Sequence, residues 1–171
     1  MNQEQAKFLA EFFATALEQE SRTTAKVLAA VREDGRSYKP DEKSRSAWDL
    51  ATHLAAGDIW FLDSICDGAF NIDPEGEKKV TAGFKSIKDV VEFYTREFPK
   101  RVQRLRSASP ESMAKEVDFF GVVKMPAAAF LSVAMNHGVH HRGQLAAYLR
   151  PMGSKVPSIY GGSADEPMTG A

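Results

Sequence analysis

The chain has 171 residues, of which 43% are hydrophobic and 26% charged, so it suits one globular domain and neither a disordered nor a fibrous one. Lys plus Arg number 22 against 23 Asp plus Glu, a net charge of −1, which removes the electrostatic reason to expect nucleic acid or an anionic membrane as partner. The single cysteine, Cys66, excludes an internal disulfide and a thiolate-rich metal site.

The start, MNQEQAKFLAEFF, carries acids and lacks the basic region and apolar run of a signal peptide. The most apolar stretch, Pro126 to Met135, is too short to cross a bilayer and is broken by Ser132. A cytoplasmic location is the expectation.

The first predicted helix runs from Gln3 to about Arg32. Leu9, Phe12, Phe13 and Ala16, then Val27, Leu28 and Val31, recur at helical spacing before Glu33-Asp34-Gly35 ends the run. The second opens at Ser46, where Ser46 and Asp49 form a capping-box pattern, and continues to Cys66 before Asp67-Gly68 stops it. Asn71 to Gly83 reads as a long loop.

Ser86 and Asp89 repeat the capping pattern and begin a third helix with Val90, Tyr94, Phe98, Val102 and Leu105 on one face. Pro99 predicts a kink or break inside it. The cluster Lys100, Arg101, Arg104 and Arg106 reads as cations at a helix C-terminus rather than an anion site. Ser109 to Lys124 is irregular, with Val117 to Val123 a candidate extended piece. A fourth helix starts at Pro126 and runs to Arg150, where Pro151 and Gly153 end it. With no repeats and no strand pattern long enough for a sheet, the expectation is an all-α protein, a four-helix bundle.

All four histidines fall on the second and fourth helices. His137 and His141 are four apart, hence stacked on one face about 6 Å apart along the axis. Their stripe includes Val133, Leu145 and Tyr148 and reads as inward-facing. His140 offers a second pairing with His137, but its ladder through Asn136, Gln144 and Ala147 is more polar, so it reads as flanking. His53, on the stripe of Asp49, Leu50 and Leu54, supplies a third imidazole from a facing helix. Three neutral imidazoles leave coordination positions open and suit zinc or nickel rather than magnesium or calcium. The bland alternative is three ordinary core histidines. Gly57, one turn after His53, removes a side chain beside the presumed ion. Cys66 reads as a buried thiol.

Ala47-Trp48-Asp49-Leu50-Ala51-Thr52-His53-Leu54-Ala55 and Asn136-His137-Gly138-Val139-His140-His141-Arg142-Gly143-Gln144-Leu145 resemble the DinB family, the DinB/YfiT-like metal-dependent four-helix proteins. Tyr148 to Gly153 and Pro157 to Gly161 also resemble that family's end. The resemblance implies an up-down-down-up bundle over residues 1–161, with 162–171 a flexible tail, and a homodimer. It implies metal ligands at His53, His137 and His141. It also implies a stress-linked protein and, by analogy with characterised relatives, a low-molecular-weight thiol such as bacillithiol, mycothiol or glutathione as cosubstrate.

Three functions follow from these readings. One is an enzyme that activates a thiol for transfer to a small electrophile. The second is a hydrolase using metal-bound hydroxide, for which no general base stands out. The third is a non-catalytic metal-binding protein. Asp49 can be read as a carboxylate orienting His53 or as a capping acid, the latter preferred. Arg142 points about 100° away from the ligand stripe and is not expected to be catalytic. Trp60 and Tyr148 can be pocket walls, with core packing preferred.

Overall fold

The computed structural model describes residues 1–71 and 74–168, without the side chains of Pro74 and Glu77. The elements run α1 (Gln3–Ala29), α2 (Ala47–Asp67), α3 (Pro74–Ala82), α4 (Ile87–Arg106), α5 (Pro110–Ala114), β1 (Glu116–Phe119), β2 (Val123–Pro126) and α6 (Ala127–Leu149). The protein is mostly helical. The four long helices share one core in which α1 packs on α4 and α6, and α2 packs on the same two.

The capping signals form as the sequence implies. The Asp49 amide donates to Ser46 Oγ at 3.0 Å while the Ser46 amide donates back to the Asp49 carboxylate at 3.3 Å. Ser86 and Asp89 repeat the exchange at the start of α4. Gly68 ends α2 in the left-handed region at φ +68°, a conformation a Cβ would strain.

Four local expectations change. The segment 71–83, expected as a loop, contains α3; residues 72 and 73 lie outside the described residues. Helix α4 is unbroken through Pro99. Pro99 and Thr95, one turn earlier, both sit on the exposed side, so water can reach the carbonyl that proline leaves unbonded, while Phe98 and Val102 hold the helix to the core. The stretch 109–126 is ordered as α5 and an antiparallel hairpin, with Val117 opposite Met125 and Phe119 opposite Val123. The strands are thus confined to one small hairpin on a helical protein.

The fourth change concerns α1. Its buried stripe is Ala6, Ala10, Ala14 and Leu17, which leaves Phe12 57% exposed beside Phe8 at 68%. Small residues let α1 approach its neighbours closely, and the two rings stack on the outer face with centroids 6.4 Å apart.

Arg104 and Arg106 lie in the last turn of α4 as expected, and with Arg101 they also make pairs between helices. Arg101 and Arg104 both bond Asp63 of α2, at 3.1 and 3.0 Å, and Arg106 reaches Glu18 of α1 at 3.0 Å. Beyond α6, the Asp165 carboxylate binds Arg150 at 2.7 Å and accepts from the Val156 amide. Residues 169–171 of the expected flexible tail lie outside the described residues. Among the described residues, no helix is long and apolar enough to cross a membrane.

Candidate metal centre

Helices α2 and α6 pack face to face, and that packing brings His53 of one against His137 and His141 of the other. The ring centroids lie 5.3, 4.7 and 4.5 Å apart for the pairs His53–His137, His53–His141 and His137–His141. One ring nitrogen from each lies within 4.8 Å of the others. The Nε2 atoms of His53 and His137 are 3.4 Å apart. Two nitrogens bound to one tetrahedral ion at about 2.0–2.1 Å stand about 3.3–3.4 Å apart, so this pair already has the spacing of an occupied tetrahedral edge.

Two of the three imidazoles are biased toward the neutral form. Burial, with Arg45 and the other two imidazoles adding to it, pushes His53 down to about 4, so its ring is neutral at physiological pH. Burial likewise lowers His141. Neutral imidazoles are the form that binds a cation.

Two of the rings are braced from behind. His141 Nδ1 lies 2.8 Å from Gln144 Oε1; in the tautomer where Nδ1 donates, Nε2 keeps its lone pair for a ligand bond. His137 Nδ1 faces the Asp58 carboxylate at 3.4 Å. Asp58 is 7% exposed, and its other oxygen accepts from the Tyr94 hydroxyl at 3.0 Å. Burial raises the Asp58 pKa, partly opposed by His137 and Tyr94.

The carboxylate behind the site is thus Asp58, not Asp49, whose Oδ2 accepts from the Ser46 amide and hydroxyl at the start of α2. The sequence held a usable signal: Asp58 lies five residues after His53 and one after Gly57, among residues read as core. Gly57 also acts differently from expectation. A Cβ there would lie 2.8 Å from His137 Cε1, so the glycine makes room for the imidazole itself. Gly138 does the same for Asp58, at 3.0 Å from Oδ1.

Other candidates fall outside the cluster. His140 is exposed, its ring touching only the edge of the site through His141 at 4.9 Å. Arg142 is 1% exposed and turned away, bonded to the Glu20 carboxylate at 2.6 Å, to Thr24 and to the Tyr160 hydroxyl. It clamps the segment after α6 onto α1. Cys66 is half-buried and its thiol is pushed up to about 11, mainly by burial. Val133, placed on the inward stripe by spacing, is 37% exposed. Tyr148 packs edge-on against Tyr38, away from the histidines.

A cleft of about 540 Å³ opens beside the cluster, with His53 and His137 in its wall. Trp60 both packs against the core, with its ring on Phe61 and Phe70, and lines the cleft; its indole N–H donates to the Asn71 carbonyl at 2.9 Å. Phe61 lies between cleft and core, 4.9 Å from the His137 ring and continuous with Phe70 and Phe119 of the hairpin.

The chain is similar to known proteins in sequence and fold. Residues 1–169 match the DinB family. The chain belongs to it. YjoA of Bacillus subtilis, an uncharacterized protein, is 30% identical over 139 residues, covering 80% of this chain and 86% of the relative. The crystal structure of that DinB-like protein superposes with a TM-score of 0.67 at 27% identity, covering 85% of this chain and 94% of that one. A DinB-like protein of Bacillus cereus gives 0.71 at 25% identity, over 88% of this chain and 97% of that one. The mycothiol-dependent maleylpyruvate isomerase gives 0.54 at 14% identity, covering 85% of this chain and 61% of the enzyme, a likeness of fold alone.

Proposed function

We propose that His53, His137 and His141 hold one divalent cation, zinc or nickel, and that this DinB protein uses it to activate a low-molecular-weight thiol for transfer to a small electrophile. The observation that carries the reading is the 3.4 Å approach of two Nε2 atoms, with a third imidazole beside them and, among the described residues, no fourth protein ligand in the cluster. A cation held only by neutral rings keeps its full charge and would lower the pKa of a coordinated thiol or water.

This chain's own residues do the rest. Asp58 and Gln144 fix two ring orientations, and the adjoining cleft gives a second reactant a place within reach of His53 and His137. The three rings are half-buried rather than sealed, which favours a site that exchanges ligands over one that only holds the fold. The thiol is suggested by the fold shared with a mycothiol-dependent isomerase. Hydrolysis by an activated water is the second reading, and among the described residues no free proton shuttle stands at the cluster: Asp58, a nearby buried carboxylate, is engaged by Tyr94 and His137.

The same reading takes residues 1–161 as an up-down-down-up four-helix unit followed by a tail, acting in the cytoplasm. It takes the protein as a homodimer, supported by the exposed Phe8–Phe12 face. Metal-loaded protein incubated with bacillithiol, mycothiol or glutathione and a chlorinated or epoxide acceptor tests the function. Thioether product that depends on both metal and thiol supports transfer, whereas thiol-independent cleavage of an ester or amide supports hydrolysis.

A further inference from the structure

The cleft beside the histidines has a composition that selects its occupant. Its walls are Ala56, Ile59, Trp60 and Phe61 of α2, Val80 of α3 and Phe93 of α4. About 300–1,000 Å³ is the usual range for small-molecule pockets, and this one holds about 540 Å³.

Its charged lining residues neutralise one another. Arg101 is bonded to Asp63 at 3.1 Å and to Glu97, and Asp63 also accepts from Arg104 at 3.0 Å. The Trp60 indole N–H is already committed to the Asn71 carbonyl, so the ring offers the cleft its hydrocarbon surface. A charged ligand group held between the aromatic walls, away from the histidines, would be desolvated without a partner, which is costly, whereas an apolar ring gains by leaving water.

We infer that this cleft binds the electrophilic acceptor, and that the acceptor is an uncharged molecule carrying an aromatic or comparably flat apolar group. The inference rests on the transfer reading for the acceptor's role, and on the cleft alone for its chemistry. The apolar body lies between Trp60 and Phe93 while the reacting end meets His53 and His137 at the inner wall. The polar, sugar- or peptide-bearing thiols named above do not match these walls, so the thiol approaches from outside the cleft.

Two dyes with one ring skeleton test this. N-phenyl-1-naphthylamine is uncharged, and 1-anilinonaphthalene-8-sulfonate adds a sulfonate. Each is titrated against the full chain, with metal content and melting temperature measured on every sample. The expected result is one uncharged dye per chain, bound about tenfold or more tighter than the sulfonate. Val80→Trp, from the exposed rim, and Ala56→Phe, from the α2 wall, should each weaken it about tenfold while preserving the melt and the metal. Equal affinity for the two dyes, or binding indifferent to both variants because the dye sits elsewhere, overturns the inference. A wild type that binds the dye as expected but holds no metal refutes the transfer reading and leaves the cleft's preference standing.

Discussion

A Cβ built on Gly57 of α2 would stand 2.8 Å from Cε1 of His137 on α6, closer than such atoms ever pack. The glycine is therefore the space in which the histidine ring sits. Gly57→Ala raises the helix propensity of α2 by about 1 kcal/mol and at the same time displaces the ring. The expected outcome is a protein that stays folded, with a helical circular-dichroism spectrum, and binds zinc or nickel at least about tenfold more weakly by competition with a chelating dye. Unchanged affinity would mean the ring is free to relocate without consequence.

Asp58 acts at one remove from the cluster. Replacing it by Asn keeps the shape and removes the carboxyl group behind His137, and changes of this kind typically cost about 10–100-fold in metal affinity. Tyr94→Phe removes one hydrogen bond to the same carboxylate and should cost less. If Asp58→Asn binds metal as the wild type does, the carboxylate is only a buried partner for Tyr94.

Arg142 sits next to a candidate ligand and is expected to affect stability alone. Its guanidinium is buried against Glu20, Thr24 and Tyr160, so Arg142→Met leaves the Glu20 carboxylate without its cation. Breaking a buried pair from one side costs about 3–5 kcal/mol, the lower end applying here because Glu20 keeps partial exposure. Denaturant melts should register that loss, while metal stoichiometry of the remaining folded protein is unchanged.

Cys66 gives a pH dependence whose sign is fixed. Burial lifts the folded thiol from 9.0 to about 11, so between these values the unfolded chain has lost a proton that the folded chain retains. The contribution is fully present below pH 9 and is lost as pH rises through about 11. The melting temperature of wild type should fall more steeply over that window than that of Cys66→Ala. Iodoacetamide at neutral pH should modify the native thiol much more slowly than the unfolded one.

Periodicity and capping made the long helices legible, because a Ser three residues before an Asp satisfies two amides by itself and needs no tertiary partner. The three histidines were legible too: a four-residue spacing fixes His137 and His141 on one face, the stripe of Asp49, Leu50 and Leu54 marks His53 on a facing helix, and the family resemblance implies the same three. What escaped depends on contacts between distant segments. Asp58 faces the cluster only because α2 packs on α6, and Trp60 serves the cleft as well as the core only because α3 and α4 leave a gap there. Pro99 does not break α4 because the side of the helix that bears it faces water. Phe12 misled because the core side of α1 is built from alanines, which carry a weaker hydrophobic signal than the two exposed rings.

The central claim is that three imidazoles hold one ion, and metal content per chain tests it most directly. Protein purified without a metal-affinity tag is analysed by elemental mass spectrometry, for wild type and His137→Ala. The account predicts about one equivalent of zinc or nickel in the wild type, lost in the variant while the helical melt persists. Metal-free wild type that takes up neither zinc nor nickel on addition would contradict it, leaving His53, His137 and His141 as ordinary packed residues.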